Sequence, residues 1–204
     1  MHKSPLKYEI HNKKNLYKGF FGMDMYTLSY EGYDGTTIGP MSREIFERGD
    51  AAALVPFDPV RDEVVFIEQF RPGAVREGQN PWLTEVVAGI VDKNELGNTL
   101  NTVLRETTEE TGMICEKARF ATRFFTSPGG CTELIDLYVG KVDASKATGV
   151  HGLLSENENI RVFSVKFAEA LRMLESGRLC NAIVIVGIQY LALHHDEIRA
   201  EFLK

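Results

Sequence analysis

Residues 105–113 run Arg105-Glu106-Thr107-Thr108-Glu109-Glu110-Thr111-Gly112-Met113. On an α-helix, at about 100° per residue, Glu109 and Glu110 fall on either side of Glu106 one turn further along. Side chains three and four apart are neighbours, so three carboxylates converge on one face. Like charges at that spacing repel, and a cation relieves the repulsion. A donor set of hard oxygens, with no Cys or His, suits Mg²⁺ or Mn²⁺ better than zinc. Gly112 supplies a residue able to end the helix in the left-handed conformation.

Outward from that helix the chain reads as a mixed α/β protein. Upstream, Leu100, Val103, Leu104 and Thr107 recur at core-facing spacing, with Asn98 or Thr99 as N-cap. Apolar strands are expected at Ala51–Phe57 and Glu63–Phe70 across the turn Asp58–Asp62, and at Leu83–Ala88 leading into a loop at Gly89. Further strands are expected at Phe120–Thr126, Leu134–Val142 and Ile160–Val165. A helix follows over Phe167–Ser176, then a last one from Asn181 to about Phe202. Residues 1–48 read as strands, with Tyr8–Ile10, then Phe20–Tyr30, and a turn near Gly32–Gly35. Repeats and low-complexity segments are absent.

Composition narrows the function. At 204 residues and 44% apolar, the chain can bury one core with an appendage. A net charge of −6 argues against nucleic acid or anionic membrane as a partner. No run approaches the roughly 18 apolar residues of a membrane span. The start, Met1 to Lys7, lacks the apolar core of a signal peptide. Cys115, Cys131 and Cys180, odd in number and widely spaced, suit reduced thiols and a cytoplasmic location. His194 and His195 point about 100° apart on a helix, so they read as surface or packing histidines rather than as metal ligands.

The arrangement around the acidic helix resembles the Nudix box, Gly-x5-Glu-x7-Arg-Glu-U-x-Glu-Glu-x-Gly-U, with U usually aliphatic. Gly89, Glu95, Arg105, Glu106, Glu109, Glu110, Gly112 and Met113 match by type, and Thr107 replaces the first aliphatic. Nine residues rather than seven separate Glu95 from Arg105, and counting back from the helix puts Gly97 at the glutamate position. The two extra residues lie in the loop near Leu96-Gly97. Further matches run along the chain: Arg43–Gly49, Val55–Asp62, Ser127–Gly130, and Glu156–Val162. Pro128, sixteen residues after Gly112, is similar to the proline that marks ADP-ribose hydrolases within the family.

The resemblance implies an α/β/α sandwich with a mixed sheet (residues 49–204) and N-terminal strands (residues 1–48) swapped across a homodimer. It implies a Mg²⁺-dependent hydrolase that cleaves ADP-ribose to AMP and ribose 5-phosphate. Glu106, Glu110 and Glu158 would be metal ligands with the Ala88 carbonyl, Glu109 would stand behind them or bind a further ion, and Arg105 would orient the carboxylates. Glu156, in the loop Gly149–Glu158, would be the general base. Phe20 and Phe21 would border the adenine, while Arg43, Glu44, Arg48, Arg71, Ile90, Ser127, Pro128, Gly129 and Glu133 would contact the rest of the substrate. The small apolar strands of residues 1–48 agree with a partner covering them. Rival readings are a hydrolase for another nucleoside diphosphate sugar, such as ADP-glucose or GDP-mannose, and a catalytically silent module that binds ADP-ribose.

Overall fold

The computed structural model describes residues 6–204 apart from 93, 94 and 96. Leu96, one of the two residues named for the loop insertion, and the chain start Met1–Pro5 lie outside the described residues. The chain forms two compact units. One runs up to Asp50 and takes in Phe125–Leu134; the other comprises Ala51–Phe124 and Ile135–Lys204. The expected boundary after residue 48 omits the 125–134 turn. That turn belongs with the N-terminal strands because Phe46 donates its N–H to the Gly130 carbonyl and Thr132 donates to that of Phe46.

In the first unit β1 (Tyr8–Lys18), β2 (Gly22–Glu31) and β3 (Thr37–Glu47) form an antiparallel sheet in that order. The apolar signal of β1 stops at Ile10, but pairing with β2 continues from Tyr8↔Tyr30 to Lys18↔Gly22 through two irregularities. Backbone pairing, indifferent to the polar side chains of Asn12–Asn15, lengthens the strand. Phe20 and Phe21, expected inside β2, sit instead on the bend before it, where Gly19 N–H donates to the Phe21 carbonyl at 2.8 Å. Every described residue of β1 is exposed, and Tyr8 and Phe20 are 75% and 88% accessible. Among the described residues, the three buried apolar clusters draw nothing from this sheet.

The second unit holds β4 (Ala51–Asp58), β5 (Glu63–Phe70), β6 (Trp82–Glu85), β7 (Val87–Ile90), β8 (Lys117–Phe125), β9 (Leu134–Lys141), β10 (Val150–His151) and β11 (Ile160–Lys166). Its helices are α1 (Thr99–Thr111), α2 (Phe167–Glu175) and α3 (Ala182–Phe202). The strand order is β10-β11-β5-β4-β9-β8, with β6 beside β5 and β7 beside β4. The pairing of β4 with β9 is parallel and that of β4 with β5 and β7 is antiparallel, so the sheet is mixed.

β4 is buried at every position because both of its faces are covered. Ala51, Ala53, Val55 and Phe57 pack in one cluster with Ile188 and Leu191 of α3 and Met173 of α2. Ala52 and Leu54, pointing the other way, meet Val103 of α1. This alternation makes the layering α/β/α. Full burial of side chains such as Leu54, Phe57 and Phe66 contributes about 1.5–3 kcal/mol each. The turn after β4 is closed by Asp58, whose Oδ1 accepts from the N–H groups of Val60 and Arg61 at 2.9 Å.

The buried face of α1 differs from the expected one. Thr102, Val103, Thr107, Glu110 and Thr111 are buried, whereas Leu100 and Leu104 are half-buried. Thr107 donates its hydroxyl to the Val103 carbonyl at 2.6 Å and Thr111 to that of Thr107, so these hydroxyls go inside without loss of hydrogen bonding. The rotation also carries Glu110 inward. Asn98 occupies the N-cap without a side-chain capping bond among the described residues, and the Thr99 hydroxyl turns instead to Asp136 and Tyr138 of β9, both at 2.8 Å.

Candidate active site

The run Leu83–Ile90 delivers Ala88 and Gly89 on β7 alongside α1. Gly89 lies so close to the helix that a Cβ there would overlap the Glu106 carboxylate. The Ala88 N–H donates to Glu110 Oε2 at 3.2 Å. Burial raises the Glu106 carboxyl to about 7, against the opposing charge of Arg105, with the Glu109 and Glu158 charges adding to the rise. Burial, then the Glu106 charge, holds Glu110 well above the usual carboxylate range. Among the described residues, the charges of Arg105 on Glu106 and of Arg71 on Glu110 offset this rise only in part.

Arg105 gathers three carboxylates, Glu106 among them. Its Nη1 stands 2.7 Å from Glu109 and 3.0 Å from Glu106, and its Nη2 is 3.9 Å from Glu95. Glu95 also accepts the Thr102 hydroxyl at 2.7 Å. The inserted loop therefore returns a glutamate side chain to the helix, while Gly97 takes a positive φ of 87°.

The loop carrying Glu156 and Glu158 hangs on the C-terminal end of α1, where Gly152 N–H donates to the Glu109 carbonyl at 3.1 Å. It is less irregular than its composition suggests, since it contains β10 and a 3₁₀ turn over Leu154–Glu156. Glu158 Oε2 accepts the Leu153 N–H at 3.0 Å, and its charge is felt by both Glu106 and Glu110. Glu156 is exposed and makes no side-chain hydrogen bond among the described residues. Among the described residues, no three His, Cys, Asp or Glu side chains converge at ligand spacing as they are placed. The donor chemistry nonetheless fits a hard divalent cation: oxygen donors alone, two acids held uncomfortably close, and a glycine where a side chain would fill the space.

Arg71 forms a two-point ion pair with Glu85, from Nε at 3.0 Å and Nη2 at 2.7 Å. The charges of Glu110 and Glu158 also act on Arg71. Ile90 ends β7 and is 37% exposed. Glu85 entered no expected role; Glu95 was matched only to the glutamate of the box, and Asn181 only to the start of the last helix. The signal for Glu85 was present, a carboxylate inside the apolar run Leu83-Thr84-Glu85-Val86-Val87.

The remaining expected residues all lie in the first unit. Phe21 packs edge-on against Phe20 and Phe46, with ring centroids 4.7 and 5.3 Å away, and the Arg48 guanidinium lies 5.4 Å from its centroid. Arg48 pairs with buried Glu133 at 3.0 Å, and Glu133 also accepts the Thr126 hydroxyl at 2.8 Å. Among the described residues, the buried Nε of Arg48 has no hydrogen-bond partner. Arg43 and Glu44 are exposed on β3, the former donating to the Ser42 carbonyl. Ser127, Pro128 and Gly129 form a turn in which the Ser127 carbonyl accepts from Gly130 and Cys131. A cavity of about 670 Å³ in this unit is lined by Phe20, Phe21, Asn15 and Lys18, among others. Outside both groups, His195 stacks on Phe167 at 4.1 Å and hydrogen-bonds Asp62, a packing role.

A family model described as NUDIX domain matches residues 47–179. The chain belongs to the NUDIX family. The match spans the acidic helix, the Gly89 strand and the Glu156–Glu158 loop. Over 194 residues the NUDIX chain is 43% identical to an ADP-ribose pyrophosphatase of Escherichia coli, covering 95% of this chain and 92% of that one. It is 33% identical over 191 residues to a GDP-mannose pyrophosphatase of Cronobacter sakazakii, covering 92% and 96%. In fold it is similar to a crystal structure of an ADP compounds hydrolase, with a TM-score of 0.69, 18% identity and 98% of each chain covered.

Proposed function

We propose that this NUDIX chain hydrolyses ADP-ribose to AMP and ribose 5-phosphate, using Mg²⁺, with Mn²⁺ as a substitute. The observation that carries the reading is the closure of Gly89 and Ala88 onto Glu106 and Glu110, two carboxyl groups drawn inward on one helix. Glu106, Glu110, Glu158 and the Ala88 carbonyl would hold it, with Glu109 behind them. Divalent-metal dependence is general among NUDIX ADP-ribose pyrophosphatases. Such an ion, when bound, offsets the diphosphate's negative charge and makes its phosphorus easier to attack.

The chain's own residues do the rest. Arg105 keeps Glu106 and Glu109 pointed along the helix face through charge-assisted hydrogen bonds. Glu156, solvent-exposed on its 3₁₀ turn, takes the proton of the attacking water; an oxygen–phosphorus bond forms and the bridging anhydride bond breaks. Arg71 and Arg48 bind phosphate oxygens. Phe20 and Phe21 stack on the adenine, and Arg43, Glu44, Ile90, Glu133 and the Ser127-Pro128-Gly129 turn would contact the rest of the substrate. The exposed β1–β3 sheet is covered by a second copy in a swapped homodimer, so that each site draws on both chains. The cytoplasm suits the free thiols of Cys115, Cys131 and Cys180; no helix among the described residues is long and apolar enough to cross a membrane.

Similarity to the Cronobacter enzyme favours a second reading, in which a different nucleoside diphosphate sugar is the substrate. Competition between ADP-ribose and GDP-mannose in one tube with Mg²⁺, products resolved by chromatography, tests both. The expected outcome is a preference for ADP-ribose of at least about tenfold in kcat/KM, a difference of about 1.4 kcal/mol. Faster loss of GDP-mannose transfers the substrate assignment, and binding of ADP-ribose without any product leaves a silent module.

A further inference from the structure

Glu85, the last residue of β6, is 3% exposed and collects donors from three residues outside its strand. Its Oε2 accepts Arg71 Nη2 at 2.7 Å, Arg71 Nε at 3.0 Å and, more weakly, Gln69 Nε2 at 3.4 Å. Its Oε1 accepts Asn181 Nδ2 at 2.8 Å. A carboxylate is kept out of water only where donors replace its hydration, and here they do. Asn181 is itself oriented, because its Oδ1 caps α3 by accepting the Ile183 N–H at 2.8 Å. With oxygen and amide both engaged, Asn181 fixes the carboxylate that fixes the arginine.

The ion pair is lopsided. The Arg71 side chain is 42% exposed against 4% for Glu85, so the acid is the anchor and the guanidinium its open end. Nε and Nη2 are committed to Glu85, and Nη1 makes no hydrogen bond among the described residues. Glu110 and Glu158 also attract Arg71. An unanchored arginine at this place would turn onto those two acids and compete with a cation for them.

We propose that Glu85, braced by Asn181, is a positioning residue that holds the Arg71 guanidinium away from the acidic face with its free edge turned to the substrate diphosphate. The inference rests on the hydrolase reading above and adds the residues that make Arg71 usable. Arginine suits the task because its rigid fork can bind a carboxylate along one edge and a phosphate along another.

Steady-state kinetics of the full chain with ADP-ribose and Mg²⁺ test it, using Glu85→Gln, Arg71→Ala, their double variant and Asn181→Ser. Serine still caps α3 but no longer reaches Glu85 with an amide. Glu85→Gln is expected to raise KM about tenfold with kcat changed less than about threefold, the signature of lost substrate binding. The double variant should be no worse than Arg71→Ala alone, since residues acting through one another are not additive. Asn181→Ser should raise KM in the same direction by about threefold. A wild-type KM in folded Glu85→Gln overturns the proposal, as does an effect that adds in full to that of Arg71→Ala. If Glu85→Gln does not fold, a wild-type KM in Asn181→Ser overturns it. A wild-type chain that cleaves no nucleoside diphosphate sugar removes the hydrolase reading and this inference together; an active wild type with an unaffected Glu85→Gln removes this one alone.

Discussion

Gly89 and Glu106 leave no room between them for one more carbon: a Cβ built on residue 89 would lie 2.0 Å from Glu106 Oε1 and 2.5 Å from its Cγ. Gly89→Ala must therefore displace the whole Glu106 side chain and not just its carboxylate tip. The expected result is a folded protein whose activity at moderate Mg²⁺ falls by about 10²-fold or more, with partial recovery at high Mg²⁺. Activity measured across a Mg²⁺ titration checks this, and an unchanged titration curve would remove Glu106 from the metal site.

The metal-free protein should be pH-sensitive in an unusual direction. Glu106 has a folded pKa of about 7 against an ordinary 4.5, and Glu110 is raised as well. A raised acid contributes stability that is fully present below about pH 4.5 and is lost as pH climbs to about 7. Thermal melts in EDTA should fall across that window by on the order of 1–2 kcal/mol, after allowance for solvent screening. Glu110→Gln should melt higher than wild type at pH 7.5 in EDTA, yet be nearly inactive with Mg²⁺. A lower melting point would mean that the acidic cluster is not strained.

Glu156→Gln should lower kcat by about 10²–10⁴-fold, the usual worth of a positioned general base, and leave Mg²⁺ affinity close to wild type. If Glu109→Gln slows the chemical step more than Glu156→Gln does, the base belongs on α1.

Deleting residues 1–48 should give an inactive and poorly soluble protein, because the deletion removes Phe20, Phe21 and Arg43 along with the surface proposed to be covered by a second copy. Wild type should sediment as a dimer. A soluble, active monomer lacking these strands would refute the swapped arrangement.

The layered fold was readable from local pattern at particular places. The apolar run Ala51–Phe57 announced a strand; that both its faces are covered, by α1 on one side and by α2 with α3 on the other, is a finding of the structure. Asn181 announced the cap of α3, since a side-chain oxygen two residues before a helical N–H needs no tertiary context. β1 was legible only as far as Ile10, because its remaining length depends on pairing with β2.

The Glu-x-x-Glu-Glu spacing by itself determined that three carboxylates share a helical turn, because helical periodicity acts over a few residues. What that face packs against was a tertiary decision. Turning α1 so that Thr107 and Glu110 point inward required the sheet, and the raised pKa values of Glu106 and Glu110 follow from the water excluded there. Glu85 and Asn181 stand 96 positions apart, and no local period links them. Sheet register and the cost of leaving a buried carboxylate unpaired bring them together, and both act only once the chain has closed on itself.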